Sequence, residues 1–232
     1  MLFGIHYHFV DDHSIISCQG VQFFVPNFSE DILQRNLITT GNFYEIAILR
    51  QLDTLLPEQA IIFDIGANIG NHSLYWAKKR RAKKIYAFEP IPETFRILEK
   101  NIQLNHVEDI VIARNIALSD CRESLTIKSF SPENIGGTSL QKSASGNLRA
   151  IDLDHFKFPE NNVDLIKIDV EGFECNVLRG AMNFLKNFSP KFIFIEVLTS
   201  ENLQSVNNIL TSLGYTLQKE FQDHNFLYKF IP

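Results

Sequence analysis

The spacing of hydrophobic and polar positions divides the chain into two regions. Residues 5–25 carry short β-prone runs separated by polar residues and Gly20, which predicts an antiparallel hairpin or small meander. From residue 61 onward, short apolar runs alternate with stretches of helical period. This alternation is typical of a mostly parallel sheet with helices on both faces. We therefore expect an N-terminal cap over residues 1–40 and a doubly wound α/β domain over residues 41–232.

The same pattern predicts individual elements. Strands are expected at residues 61–64, 84–89, 110–114, 163–169 and 192–197. Helices are expected at residues 71–80, 92–105, 173–179 and 203–213, and an antiparallel C-terminal hairpin at residues 215–217 and 226–230. Gly180 is expected to cap the helix before it. Ahead of the first strand, residues 42–55 have helical spacing, and Asn42 followed by Glu45 is typical of a capping box.

One long polar segment, residues 119–150, interrupts the alternation of strands and helices. It is rich in Ser and Gly, and so long a segment without a hydrophobic pattern predicts a lid, a binding loop or a disordered surface excursion. We expect this segment and the N-terminal meander to cover part of a ligand site.

The composition narrows the class of protein. With 45% hydrophobic residues and twenty Phe among 232 residues, the chain can bury a large core. A formal net charge of −5 gives no reason to expect a nucleic-acid partner, and no run approaches the roughly 20 apolar residues of a membrane span. The first residues lack the basic and apolar parts of a signal peptide, and three Cys residues fit a reducing compartment. We expect a soluble cytoplasmic protein of unknown oligomeric state.

The most informative segment is a glycine-rich turn after the first strand of the α/β region. It reads Asp64-Ile-Gly66-Ala-Asn68-Ile-Gly70 and precedes a predicted helix. Such a turn lets a ligand approach the backbone at a helix N-terminus. The acid before the first glycine would repel a pyrophosphate and suits a ligand with a cationic amine, such as S-adenosylmethionine.

Polar side chains are predicted at the carboxyl ends of the strands, where ligands bind in doubly wound sheets. Glu89 follows the glycine turn by about twenty residues, the position of an acid that binds both ribose hydroxyls of a nucleoside. Because NAD-binding proteins also carry this acid, Glu89 alone does not choose between the two cofactors. The residues at the strand ends are Asp64, Glu89, Asn115, Asp169 and Glu196.

Several motifs together resemble the FkbM-type methyltransferase family over roughly residues 40–198. They are Asp64-Ile-Gly-Ala-Asn-Ile-Gly-Asn-His-Ser-Leu74, Ala87-Phe-Glu-Pro90, Ala117-Leu-Ser-Asp120, Ile166-Lys-Ile-Asp-Val-Glu-Gly172 and Val177-Leu-Arg-Gly-Ala181. The residues Gly136-Gly-Thr-Ser-Leu140 also resemble the lid region of that family. The resemblance implies a class I, Rossmann-like fold and S-adenosylmethionine-dependent O-methylation.

The resemblance also implies which residues bind the cofactor. The turn residues Asp64, Gly66, Asn68 and Gly70 would lie beneath its methionine part, and the backbone at Asn71 and Ser73 would favour its carboxylate. Glu89 with Pro90 would hold the ribose, and the backbone at Ala117 the adenine. Glu45 could reach the cofactor from the preceding helix, although a capping role would also explain it.

Methyl transfer to a hydroxyl needs a base or a metal, because an alcohol is a weak acid. The candidates for the base are Asp169, Glu171 and Glu196, with His72 as a further candidate just after the glycine turn. Clustered carboxylates raise one another's pKa, which suits a base that works near neutral pH. They could alternatively hold Mg²⁺.

We therefore expect an S-adenosylmethionine-dependent methyltransferase, with a hydroxyl of a small molecule, sugar or glycan as the acceptor. One alternative is a nicotinamide-dependent oxidoreductase, which would carry a Gly-x-Gly-x-x-Gly turn that this chain lacks. The other is a non-catalytic protein that binds S-adenosylmethionine as an assembly factor.

Overall fold

The computed structural model describes residues 7–10, 13–80 and 82–232, with side chains from Ile15 onward. The strands in these ranges are β1 (Tyr7–Val10), β2 (His13–Cys18), β3 (Val21–Phe24), β4 (Ile61–Ile65), β5 (Lys84–Phe88), β6 (Val111–Arg114), β7 (Ala117–Leu118), β8 (Glu123–Ser131), β9 (Asn134–Lys142), β10 (Leu148–Ile151), β11 (Leu165–Ile168), β12 (Phe192–Glu196), β13 (Tyr215–Glu220) and β14 (Asn225–Phe230). The helices are α1 (Ile32–Thr40), α2 (Ile46–Asp53), α3 (Asn71–Lys78), α4 (Pro92–Leu104), α5 (Glu174–Arg179), α6 (Met182–Phe188) and α7 (Ser200–Ser212).

The central sheet has seven strands in the order β13-β14-β12-β11-β4-β5-β6. Strands β12, β11, β4, β5 and β6 are parallel, whereas β14 is antiparallel to both β12 and β13. The strand order reverses between β4 and β11, so a crevice is expected at the carboxyl ends of these two strands. The predicted doubly wound, mostly parallel sheet with a C-terminal antiparallel hairpin is confirmed.

Apolar side chains cover both faces of this sheet. On one face the ring of Phe63 packs edge-on against the rings of Phe156 and Phe158, with centroids 6.1 and 5.2 Å away. On the other face, Trp76 of α3 and Leu98 of α4 are fully buried in a second cluster. Because both faces are covered, the ends of the strands are the part of the sheet left open for a ligand.

The N-terminal meander forms a separate sheet in the order β1-β2-β3, as the pattern of short runs predicts. It is attached to α4 by two buried amide side chains. Oδ1 of Asn101 accepts a hydrogen bond from the Phe24 backbone N–H at 2.6 Å, and Oδ1 of Asn105 accepts one from Gln22 N–H at 2.9 Å. Since Phe23 joins the same apolar cluster as the helices, the meander packs onto the α/β layers directly. The division after residue 40 stays a prediction.

The polar segment that we expected to be a loop is largely β-sheet. Strands β7, β10, β8 and β9 form a four-stranded sheet, in which β8 and β9 pair as a long hairpin. Most residues of this hairpin are at least partly exposed, so the sequence carries no apolar alternation that would reveal the strands. The expectation of irregular structure was therefore wrong.

Two helices, α1 and α6, were not predicted. Gly180 is the C-terminal cap of α5, as expected, and its φ is −76°. A Cβ at this position would lie 1.8 Å from the Ser119 carbonyl oxygen, and close backbone approach therefore explains the glycine. None of the helices in the described part of the chain has the length and hydropathy that crossing a bilayer needs.

Candidate active site

A cleft with a volume of about 180 Å³ opens at the carboxyl ends of β4, β5, β11 and β12. The end of the β8–β9 hairpin and the start of α1 complete its walls. The polar residues that line it are Tyr44, Glu45, Asn68, Asn71, His72, Glu89, Thr94, Asn134, Thr138, Lys167, Asp169, Glu171, Glu196 and Asn225. The crevice predicted from the strand order is thus the cleft of the structure.

The glycine turn holds the ends of β4 and β11 in contact. Gly66 has a φ of +80°, and a Cβ there would lie 1.7 Å from the Asp169 carbonyl oxygen. The backbone N–H groups of Gly66 and Ala67 both donate to the Phe88 carbonyl at the end of β5. Only glycine combines this φ with this approach, so the first glycine of the motif is required by the turn itself.

Glu89 lies in the cleft as a buried carboxylate with hydrogen-bonding capacity to spare. Its Oε2 accepts a hydrogen bond from the Asn68 N–H at 3.0 Å, and its Oε1 accepts one from the Ile91 N–H at 2.8 Å. Burial raises the pKa of Glu89 to about 7, although these two backbone donors oppose the shift. Because two carboxylate oxygens offer about four acceptor positions, two remain for the hydroxyls of a ligand.

Two predicted cofactor residues, Asp64 and Ser73, lie beneath the turn and do not line the cleft. The fully buried Asp64 accepts a hydrogen bond from Ser73 Oγ at 2.6 Å, and its Oδ1 lies 3.3 Å from Lys167 Nζ. The second contact is an ion pair without hydrogen-bond geometry. The charge of Asp64 is therefore compensated inside the protein, which differs from the direct attraction of a cationic ligand that we inferred from the sequence.

The other predicted turn residues divide into structural and cleft-lining positions. Gly70 starts α3 with a φ of +91°, and a Cβ there would lie 2.7 Å from Leu98 Cδ1, so its role is packing. Asn71 lines the cleft and exchanges two hydrogen bonds with the Tyr44 backbone, at 2.9 and 3.0 Å. At the other end of the cleft, Pro90 and Ala117 line an apolar wall with Ile91, Ile116, Leu118, Leu140 and Phe173.

Lys167 is the central residue that sequence reasoning missed. Its side chain is 3% exposed, and its Nζ donates to the Gly66 carbonyl at 2.6 Å. The same Nζ lies 3.2 Å from Asp169 Oδ2 and 3.3 Å from Asp64 Oδ1. Burial alone would lower the pKa of Lys167, but the charges of Asp169 and Asp64 outweigh it and raise the pKa above its usual range. A lysine within an apolar strand, two residues before an acid, was the available signal.

The three predicted carboxylates come together at one side of the cleft. Asp169, Glu171 and Glu196 each have an oxygen within 4.8 Å of one another. Asp169 and Glu196 share a hydrogen bond. Burial and the charge of Asp169 raise the pKa of Glu196 to about 9, so Glu196 is the protonated partner near neutral pH.

The other two carboxyls of this cluster differ in their protonation. Burial would raise the pKa of Asp169, but Lys167 and the hydrogen bond with Glu196 hold it below its usual range. Burial and the charges of Asp169 and Glu174 raise the pKa of Glu171 to about 7. Glu171 is therefore the carboxyl of this cluster that exchanges a proton most readily near neutral pH.

Glu45 and His72 both line the cleft and contact each other. The capping box expected from Asn42 and Glu45 was wrong, because α2 begins with Glu45 in the left-handed region and without a side-chain cap. Its carboxylate instead accepts from Asn225 Nδ2 at 3.2 Å and lies 3.1 Å from His72 Nε2. Without a capping role, the side chain of Glu45 is available to the cleft. Asn225, on β14, was not predicted.

The hairpin end closes the cleft from above. Asp31 caps α1 through Oδ1 and accepts from the Ile135 N–H through Oδ2 at 2.9 Å, which ties the helix to the hairpin. A Cβ at Gly136 would lie 2.7 Å from Asn68 Nδ2, so the hairpin reaches the glycine turn. Asn134 and Thr138 of β9 line the cleft; Thr138 belongs to the Gly136–Leu140 segment that resembles the family's lid region, whereas Asn134 was not predicted.

Comparison with known proteins adds independent support for the resemblance to the FkbM-type methyltransferases. The family model of the methyltransferase FkbM domain matches residues 64–217. The hexuronic acid methyltransferase AglP of Haloferax volcanii is 29% identical over 189 residues, which are 78% of this chain and 74% of that protein. The methyltransferase sdnD of Sordaria araneosa is 30% identical over 178 residues, 62% of this chain and 66% of that protein.

A solved structure supports the fold alone. The P. horikoshii TYW2 structure, a complex with MeSAdo, covers 95% of this chain and 70% of its own, with a TM-score of 0.50 at 16% identity. The family match is the stronger finding, because it spans more than half of the chain and contains both the glycine turn and the Asp169–Glu171 segment. The resemblance seen in the sequence is confirmed, and this chain belongs to the methyltransferase FkbM domain family.

Proposed function

We propose that this methyltransferase uses S-adenosylmethionine to methylate a hydroxyl group on a small molecule, sugar or glycan. The observation that carries the proposal is the combination, in one cleft, of a buried Glu89 with free acceptor positions and a cluster of carboxyls around Asp169. The buried Glu89 suits the hydroxyls of a nucleoside. The carboxyl cluster suits an acceptor hydroxyl that must lose its proton.

The residues of the cleft fit the parts of the cofactor. Glu89 would accept hydrogen bonds from the two ribose hydroxyls, beside Pro90. The turn at Gly66 and Asn68, with the start of α3 at Asn71, would receive the methionine part, whose carboxylate suits a helix N-terminus. The apolar wall around Ala117 would receive the adenine ring. Asp64 and Ser73 would act beneath the turn by holding it in shape.

We assign the proton-accepting role to Glu171. When bound, S-adenosylmethionine supplies its methyl group: the acceptor oxygen gains the methyl carbon, the electron pair of the carbon–sulfur bond stays on sulfur, and the hydroxyl proton goes to a protein base. A base is most effective when its pKa is close to the working pH, and the pKa of Glu171 is raised to about 7. Asp169, held as an anion by Lys167, would orient the hydroxyl, and the protonated Glu196 would donate a hydrogen bond to Asp169.

Two further points bear on this assignment. His72 contacts Glu45, so it would act on the acceptor through the Glu45 carboxylate or hold that carboxylate in place. The three carboxyls could also hold Mg²⁺. Lys167 already places a positive charge against Asp169, and the proposal needs no metal.

Calorimetry with S-adenosylhomocysteine tests the proposed cofactor. The wild-type protein is expected to bind it, and Glu89→Ala to weaken binding at least about 100-fold, because a buried acceptor of two hydroxyls is lost. Glu93→Ala, on the exposed side of α4, is the matched control and should bind normally. A wild-type protein that binds NADH but not S-adenosylhomocysteine would point to the oxidoreductase alternative.

A turnover assay separates an enzyme from a binding protein. Transfer of a radiolabelled methyl group into pooled small molecules and glycans is expected for the wild type and is lost in Glu171→Gln, which should still bind S-adenosylhomocysteine. Binding by the wild type without transfer to any pool would favour the non-catalytic assembly factor.

A further inference from the structure

The charges that line the cleft are unevenly distributed. Of the described residues in its walls, Lys167 is the only lysine or arginine, whereas five carry carboxyl groups. The five acidic residues are Glu45, Glu89, Asp169, Glu171 and Glu196. An acceptor that enters this cleft therefore meets an excess of acidic groups.

The single lysine is not available to an incoming anion. Its Nζ lies within 3.3 Å of three protein oxygens, on Gly66, Asp64 and Asp169, and its side chain is 3% exposed. The ammonium group donates to the Gly66 carbonyl, and the carboxylates of Asp64 and Asp169 compensate its charge. His72, the remaining group that can carry a positive charge, faces the carboxylate of Glu45 at 3.1 Å.

The acidic groups surround the part of the cleft next to the proposed base. Oxygens of Asp169, Glu171 and Glu196 lie within 4.8 Å of one another, and Glu45 lines the same cleft. Neutral groups stand beside them: Asn225 hydrogen-bonds Glu45, and Tyr44 lines the same space. Carboxyl, amide and phenol groups are suitable partners for hydroxyls, and none of them neutralises an anion.

We propose that the acceptor is a polyhydroxyl compound without an anionic group and that Glu45, Asp169 and Glu171 exclude anionic acceptors such as uronic acids and sugar phosphates. This inference rests on the proposed function and restricts its substrate class. It separates this protein from the Haloferax volcanii relative, whose name specifies a hexuronic acid. The physical reason is that like charges brought together in a partly desolvated cleft repel strongly, which is a common source of specificity.

Matched sugars that differ only in charge test the inference. The protein is first saturated with S-adenosylhomocysteine, as measured by calorimetry. Binding of methyl β-glucopyranoside, methyl β-glucopyranosiduronate and methyl β-glucosaminide is then compared by saturation-transfer NMR. The neutral glucoside is expected to bind at least about tenfold more tightly than the uronide. This readout does not depend on turnover.

Substitutions then test which residues cause the discrimination. In Glu45→Gln with Glu171→Gln, the preference for the glucoside over the uronide should fall at least about threefold. Glu99→Gln, exposed on α4, should leave it unchanged.

Several outcomes would overturn the inference while the cofactor assignment stands. They are a uronide that binds as tightly as the glucoside, a glucosaminide that binds more weakly than the uronide, no binding of any of the three sugars, and an unchanged preference in the double variant. Failure of the first step, in which the wild type does not bind S-adenosylhomocysteine, would instead overturn the proposed function.

Discussion

Lys167→Met is the substitution whose effect follows most directly from the structure. The lysine stands on β11 directly opposite Asp64 of β4, and it also contacts Asp169 and the Gly66 carbonyl. Methionine has a similar length and fills the space, but it removes the ammonium group. The fully buried Asp64 then keeps Ser73 as its hydrogen-bond donor and loses its counterion.

The magnitude can be worked from these contacts. Removing one partner of a buried ion pair destabilises a protein by about 3–5 kcal/mol, because a charge is left without compensation. The methionine side chain recovers about 1 kcal/mol through apolar packing. We therefore expect the free energy of unfolding to fall by about 3 kcal/mol. For a chain of this size, that lowers the Tm by about 6–12 °C.

Urea unfolding followed by tryptophan fluorescence measures this loss. Trp76 is the single tryptophan of the chain and is fully buried, so its emission reports loss of the core. Lys100→Met, at an exposed position of α4, is the matched control and should change stability by less than about 0.5 kcal/mol. In the double variant with Asp64→Asn, the loss should be at least about 1 kcal/mol smaller than the sum of the two single losses.

The reasoning would be refuted by two results. One is a loss below about 1 kcal/mol in Lys167→Met with an unchanged m-value, which would mean that the ion pair contributes little. The other is strict additivity in the double variant, which would mean that Asp64 and Lys167 do not depend on each other.

Three further predictions concern the pH dependence, the glycine turn and the hairpin. The pKa of Glu196 is about 9 in the native state, whereas its ordinary value is 4.5, so between these values the native state binds more protons than the unfolded state. Stability should therefore fall as pH rises from about 5 to 9. Glu196→Gln should flatten a plot of Tm against pH, and parallel plots for the variant and the wild type would contradict this. Gly66→Ala should lower the free energy of unfolding by at least about 2 kcal/mol more than Gly20→Ala. Both glycines have a positive φ, but only a Cβ at Gly66 would clash, with the Asp169 carbonyl oxygen. Equal losses in urea titrations would show that the contact with Asp169 relaxes freely. Asp31→Ala removes the cap of α1 and the hydrogen bond to Ile135. The free energy of unfolding should fall by about 1–2 kcal/mol, and amide hydrogen exchange at residues 133–138 should become faster. Unchanged exchange there would mean that the hairpin is held by other contacts.

The mostly parallel sheet, the cleft at its strand ends and several residues that line it were predictable from the sequence. Buried parallel strands are short apolar runs, and the glycine turn with Glu89 is a local pattern whose geometry follows from backbone sterics. At Glu45, a prediction from a local sequence pattern was wrong. The capping box was a plausible local pattern there, but packing places Glu45 in the left-handed region, where its carboxylate meets His72 and Asn225.

The hairpin shows a second limit of sequence patterns. Most residues of β8 and β9 are at least partly exposed, so no hydrophobic period distinguishes these strands from a loop. Besides their pairing with each other, they are held by a contact between Asp31 and Ile135, two residues that lie far apart in the chain. Only the folded chain brings them together.

By itself, the sequence determined the α/β architecture, the family and the set of acidic residues at the strand ends, because these depend on local backbone preferences and on apolar periodicity. The tertiary structure decided how the charges are used. It paired Asp64 with Lys167 beneath the turn, joined Asp169 to Glu196 through one proton and turned Glu45 into the cleft. The physical reason is that the energy of a charge depends on burial and on the distance to other charges, and both are properties of the folded chain.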